Sequence, residues 1–116
     1  MPIVDTTVPM TPSLCVRTIE NLTARYRFCR SELLGRTAFG RPIRTLVIGN
    51  GPRKVVYTAA HHANEWITTP VLLKFVEEFA EAIQSGGQIG GVSAEVLRNT
   101  ATIYTVPMVD PDGVAL

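Results

Sequence analysis

Residues 54–83 read KVVYTAAHHANEWITTPVLLKFVEEFAEAI, and this stretch predicts a strand, a polar loop and a helix in succession. The first seven residues are almost all apolar, as in a strand that is covered on both faces. Thr69 and Pro70 suit the N-cap and the first position of a helix. The apolar residues that follow recur at helical spacing and predict a core face, with Glu77 among the polar residues on the opposite face.

The segments on either side complete the predicted fold. A helix is expected over residues 11–27, where Thr11 and Pro12 form an N-cap and first-turn pair. Further strands are predicted over residues 32–37, 42–48 and 101–107, a short helical turn over 93–98, and a mobile loop over the glycine-rich residues 85–91. We therefore predict an α/β fold, the N-terminal part of a mixed, mostly parallel sheet flanked by helices.

Length and composition limit the functions open to this chain. Its 116 residues suit one small domain or part of a larger one, and 46% of them are hydrophobic. A formal net charge of +1 argues against nucleic acid or an anionic membrane as the main partner. No run approaches the roughly 20 apolar residues of a membrane span, and the first residues do not resemble a signal peptide. The cytoplasm is the default expectation, although no compartment is identified.

The chain has two cysteines, Cys15 and Cys29. Their spacing matches no zinc-binding pattern, and sequence alone does not show whether they pair. Two partly buried thiols are the simpler interpretation.

Both histidines of the chain, His61 and His62, follow the predicted strand of residues 54–60. Ligands in open α/β sheets bind beyond the carboxyl ends of strands. Glu65 lies three residues after His62, and in a tight turn this spacing can direct an imidazole nitrogen and a carboxylate at one zinc ion. A hydrogen-bonded loop histidine is the alternative interpretation. His61 is expected to be a neighbour rather than a ligand, because successive residues at a strand end point in opposite directions.

A second segment of interest, residues 106–113, reads VPMVDPDG and contains the turn sequence Pro-Asp-Gly. Other catalytic patterns, among them His-Glu-x-x-His, Gly-x-Ser-x-Gly and the phosphate-binding glycine loops, do not occur in the sequence. A serine or cysteine nucleophile would also need a histidine base, and both histidines belong to the predicted metal loop.

Three ordered motifs resemble the zinc carboxypeptidase A-like metallopeptidases, and in particular their bacterial γ-D-glutamyl-L-diamino-acid endopeptidases. The motifs are Gly35-Arg36-Thr37-x-x-Gly40-Arg41-Pro42-Ile43, the loop from Ala60 to Pro70, and the segment from Val106 to Val114. The resemblance implies a carboxypeptidase-like fold, a Zn²⁺ cofactor, and a peptide or muropeptide substrate. The implied reaction is zinc-dependent hydrolysis of peptide or γ-D-glutamyl-diaminopimelate bonds in peptidoglycan stem peptides.

Carried over by position, the resemblance makes His62 and Glu65 the first two zinc ligands. Asn64 occupies the place at which digestive members of the family have a substrate-contacting arginine, so this contact is altered here. Asp110 stands where the family usually has asparagine, a change expected to affect the turn more than the chemistry.

The resemblance covers only part of a family member. It places a third zinc ligand, a histidine, and a general-base glutamate in a later half of the domain, beyond Leu116. Residues 1–116 are therefore predicted to be the N-terminal portion of a single zinc-peptidase catalytic domain. The chain alone is expected to contain no catalytic residue and to be inactive, since catalytic zinc sites use three protein ligands.

Two other functions stay open at this point. Zinc-dependent amino-acid deacylases share a His-x-x-Glu loop on the same scaffold, although Trp66 and the Pro-Asp-Gly turn favour a peptidase. A non-catalytic truncated domain is the other alternative. Because the resemblance places a neighbour of the strand at residues 54–60 in the later half of the domain, this strand is expected to offer an exposed edge, through which the chain self-associates or pairs with a C-terminal half.

Overall fold

The first helix begins where the local signals predict. In the computed structural model, which describes residues 2–115, α1 spans Pro12–Arg25. The Thr11 side chain accepts a hydrogen bond from the Leu14 amide, which confirms the predicted N-cap. The helix ends two residues earlier than expected, because Tyr26 takes an extended conformation.

The other helices are α2 (Thr68–Ser85), α3 (Ala94–Thr100) and α4 (Pro111–Val114), with a short 3-10 helix at Ala63–Glu65 before α2. The strands are β1 (Cys29–Arg30), β2 (Leu33–Arg36), β3 (Pro42–Arg44), β4 (Leu46–Gly49), β5 (Arg53–Thr58), β6 (Gln88–Ile89), β7 (Val92–Ser93) and β8 (Ala101–Val106). Within residues 2–115, no helix is long and apolar enough to cross a membrane.

The main sheet has four strands in the order β1-β4-β8-β5. β4 pairs antiparallel with both β1 and β8, whereas β5 runs parallel to β8. The predicted mixed sheet is therefore confirmed, but its expected excess of parallel pairs is wrong for the described residues. Parallel neighbours need a long crossover connection, and in this sheet only the segment between β5 and β8, which contains α2 and α3, makes one.

Strand β5 lies at the open edge of this sheet. The expectation that it is covered on both faces is wrong, because Val56 and Tyr57 are 65% and 47% exposed. The central strand β4, in contrast, is buried along its whole length. The apolar run of β5 thus forms surface in this structure, and the predicted exposed edge is present.

Helix α2 begins two residues earlier than its sequence signals suggest. Thr68 is its first residue, so Thr69 is not the N-cap, and the Thr69 hydroxyl donates instead to the Pro107 carbonyl at 2.6 Å. Its buried side includes Phe79, as predicted, but also Glu77, which was expected on the polar face. Residues of the N-terminal segment cover Glu77, and helical periodicity carries no information about such a distant segment.

The glycine-rich residues 85–91 were expected to form a mobile loop. The glycine-rich segment does not form a loop without regular structure, because β6 and β7 pair as a hairpin across Gly90 and Gly91. Both glycines have positive φ angles, which favours the tight hairpin turn.

Cys15 and Cys29 are free and buried, and burial raises the pKa of each thiol to about 12, so both remain protonated.

Candidate metal centre

The loop after β5 is fixed by backbone hydrogen bonds to the end of β8 and the residues that follow it. The Ala59 amide donates to the Val106 carbonyl, and the amides of Val109 and Asp110 donate to the carbonyls of Ala59 and Ala60. Ala59 and Ala60 are buried, whereas the two histidines that follow them are exposed. The chain therefore leaves the sheet at Ala60, and the predicted site residues lie at the surface beyond the carboxyl end of β5.

The side chains of His62 and Glu65 meet in this loop. The His62 Nδ1 atom lies 3.2 Å from the Glu65 Oε2 atom, and both side chains are accessible to solvent. The hydrogen bond from His62 lowers the pKa of the Glu65 carboxyl, so Glu65 is ionised at neutral pH. The turn formed by the 3-10 helix brings the two residues together, since the Glu65 amide donates to the His62 carbonyl.

The donor atoms of this pair suit a zinc ion. Zinc binds imidazole nitrogen and carboxylate oxygen at about 2.0–2.2 Å, so two donors 3.2 Å apart can contact the same ion. Among residues 2–115, however, His, Cys, Asp and Glu side chains form no group of three that could hold a metal.

His61 and Asn64 are the other two residues of interest in the loop. The His61 Nε2 atom lies 2.6 Å from the hydroxyl of Thr58, the last residue of β5, so His61 contacts the strand end rather than Glu65. Asn64 is exposed in the 3-10 helix between the two candidate ligands. Its predicted role in substrate binding stays a prediction.

The Pro-Asp-Gly segment forms α4 and hydrogen-bonds to the turn between β2 and β3. The Asp110 side chain accepts a hydrogen bond from the Gly113 amide and thereby caps the helix. Asp112 accepts hydrogen bonds from the Thr37 hydroxyl at 2.8 Å and from Arg41 at 2.9 Å. Partial burial alone would raise the pKa of Asp112, but hydrogen bonds from Thr37, Arg41 and the Phe39 backbone, together with the charge of Arg41, outweigh it and lower the pKa.

The contact of Asp112 with Thr37 and Arg41 joins two of the three motifs singled out in the sequence. The sequence analysis treated the Pro-Asp-Gly segment as a turn and as a family motif, and it did not predict this contact. The sequence shows that the glycine- and arginine-containing segment of residues 35–43 and the Pro-Asp-Gly turn occur in the same chain. It does not show that they contact each other.

The fold and the surface pair thus define an α/β chain in which a histidine and a carboxylate side chain meet beyond the end of an edge strand. The family model of the zinc carboxypeptidases matches residues 14–116, and the chain belongs to this family. It is 38% identical over 104 residues to gamma-D-glutamyl-L-diamino acid endopeptidase 1 of Lysinibacillus sphaericus, an alignment that covers 90% of this chain.

Solved structures show the same fold. A thrombin activatable fibrinolysis inhibitor superposes with a TM-score of 0.81 over 99% of this chain at 19% identity. A metallo-carboxypeptidase from Burkholderia cenocepacia superposes with a TM-score of 0.68 over 90% of this chain at 25% identity. The chain spans between 26% and 29% of the length of these three proteins.

Proposed function

We propose that this chain is the part of a zinc metallopeptidase domain that holds the metal through His62 and Glu65. The observation that carries the proposal is the 3.2 Å approach of His62 Nδ1 and Glu65 Oε2 at the carboxyl end of β5. A resident zinc ion supplies Lewis acidity, which polarises a carbonyl group and lowers the pKa of water. His62 contributes a neutral nitrogen donor and Glu65 an anionic oxygen donor, and Asn64 lies beside them as the candidate substrate-contacting residue.

The proposed substrates are peptides with γ-D-glutamyl-L-diamino acid linkages, as in peptidoglycan stem peptides. The support is the 38% identity to a protein named as an endopeptidase for that linkage. The proposal assigns no hydrolytic activity to the 116 residues alone. Catalytic zinc sites have three protein ligands and a positioned base, and the described residues bring together only two candidate ligands.

Zinc binding tests the proposed ligand pair directly. Zn²⁺ is titrated into the isotope-labelled chain, and the binding constant is taken from the NMR shifts of the histidine rings. Replacement of His62 with alanine or of Glu65 with glutamine is expected to weaken binding at least about tenfold, because each removes a direct donor.

His61→Ala is the matched control, since it removes the adjacent histidine, whose ring contacts Thr58 instead. Its affinity for Zn²⁺ is expected to stay within about twofold of the parent chain. Equal losses in the His61 and His62 variants, or an unchanged affinity after Glu65→Gln, would contradict the assignment.

We further propose that the open edge of β5 pairs with another strand. One side of β5 has no neighbour within the described residues, and Val56 and Tyr57 are exposed beside it. Tyr57, Val71 and Phe75 also line an open apolar groove of about 410 Å³ along the start of α2. Unpaired backbone beside apolar side chains favours strand addition.

In the isolated chain, a second copy is the available partner for this edge. The apparent mass is therefore expected to rise above that of a monomer with concentration, as measured by light scattering. Val56→Lys places a charge on the edge and is expected to shift the protein to the monomer. Val96→Lys, at a similarly exposed apolar position on α3, is the control and should leave self-association unchanged. A monomeric mass for the parent chain at high concentration would refute the proposed pairing of copies.

A further inference from the structure

We propose that Thr68 is a positioning residue for the His62–Glu65 pair. Its hydroxyl group holds the loop of residues 59–67 in the conformation in which the two side chains meet. This inference rests on the proposed function, because it concerns the residues assigned there to the metal.

The Thr68 hydroxyl joins the two ends of the loop. Its oxygen accepts a hydrogen bond from the Ala60 amide at 2.8 Å, and its proton is donated to the Glu65 carbonyl at 2.7 Å. One side chain on the first turn of α2 thus connects the last buried residue before the histidines with the residue that carries the carboxylate. Thr68 hydrogen-bonds to the loop backbone, and its role is therefore positional rather than catalytic.

The backbone at Ala60 needs such a restraint. Ala60 has a φ angle of +53°, and it is the one described non-glycine residue in this left-handed region. An alanine adopts this conformation only where its surroundings hold it there. The Ala60 amide is held by Thr68 and its carbonyl by the Asp110 amide, at 2.8 Å and 3.0 Å.

Loss of the Thr68 hydroxyl removes one of these two restraints and leaves a buried amide without its partner. The loop can then populate conformations in which Ala60 relaxes and His62 leaves Glu65. A metal that needs both donors must reorder the loop when it binds, and this ordering weakens its affinity. The neighbouring Thr69 differs, because its hydroxyl is buried and bonds to Pro107 on the core side of the helix.

The test compares Zn²⁺ titrations of the parent chain with those of Thr68→Val, Thr68→Ser and Thr69→Val. Thr68→Val is expected to weaken Zn²⁺ binding about tenfold, while Thr68→Ser, which keeps a hydroxyl, stays within about twofold. Thr69→Val is expected to lower the melting temperature without a change in affinity. A second readout needs no metal: hydrogen exchange at the Ala60 amide should accelerate in Thr68→Val and stay slow in Thr68→Ser.

The results distinguish the role of Thr68 from the proposed role of His62 and Glu65 as metal ligands. Parent-like Zn²⁺ affinity and Ala60 protection in Thr68→Val would overturn the inference, as would an equal loss of affinity in Thr69→Val. Failure of the parent chain to bind Zn²⁺ through His62 would overturn the proposed function instead, and the Ala60 exchange would still report on Thr68. If Thr68→Val does not fold, Thr68→Ala, which also lacks the hydroxyl group, takes its place in the same comparison.

Discussion

Replacement of Glu77 with alanine is expected to lower the free energy of unfolding by about 3 kcal/mol, a large effect for one helix position. Glu77 is only 4% exposed. Its carboxylate accepts hydrogen bonds from the amides of Ile3 and Val4 and lies 3.1 Å from the Lys74 ammonium group. The substitution leaves two amides and a cation without their partner, and it detaches the N-terminal segment from α2.

Urea unfolding of the two proteins measures this difference. Glu78→Ala is the matched control, because it removes the adjacent carboxylate, which is exposed, and should change stability by less than about 0.5 kcal/mol. A loss at Glu77 as small as that at Glu78 would show that the buried contacts do not stabilise the fold.

The stabilisation by Glu77 should also depend on pH. Burial alone would raise the pKa of Glu77, but the two amides and Lys74 outweigh it and lower the pKa below 4.5. The folded state therefore binds this proton less readily than the unfolded state, and the stabilisation is present above pH 4.5. It is lost as the pH falls through the lowered pKa, so the stability difference between the parent and Glu77→Gln should shrink in acid.

The second large effect is expected for Gly51→Ala, in the turn between β4 and β5. A Cβ atom at this position would lie 2.0 Å from the Thr100 carbonyl carbon and 2.2 Å from the Ala101 amide nitrogen. Both atoms belong to the backbone, so α3 and β8 would have to move away from the turn. The free energy of unfolding is expected to fall by about 3 kcal/mol or more.

Gly35→Ala provides the control for Gly51, because no heavy atom beyond its own chain neighbours lies within 4 Å of the Cβ position there. Thermal unfolding followed by circular dichroism should show a large fall in melting temperature for Gly51→Ala and little change for Gly35→Ala. Equal melting temperatures for the two variants would contradict the close approach of the Gly51 turn to the start of β8.

Features that depend on neighbours in the chain could be predicted from the sequence. The Thr11 cap of α1 needs only residues three positions apart. The meeting of His62 with Glu65 likewise takes place within one short turn, and so the spacing of three residues was sufficient to propose the pair. The family was also recognisable from its three motifs, and the match over residues 14–116 confirms it.

Features that depend on contacts between distant segments of the chain could not be predicted in this way. Glu77 is polar and falls on the expected solvent face of α2, yet Ile3 and Val4, which are 74 and 73 positions away, cover it. β5 is an apolar run, yet its place in the sheet order leaves it at the edge. The contact of Asp112 with Thr37 spans 75 positions.

The sequence by itself determined the first helix with its Thr11 cap, the candidate ligand pair and the family, because residues a few positions apart interact whatever the rest of the chain does. Only the tertiary structure decided that Glu77 is buried, that β5 is an edge strand and that Thr68 closes the loop beneath His62. Those outcomes depend on how distant segments pack. Packing free energies come from surfaces that meet only once the chain has folded, and no local pattern records which surfaces will meet.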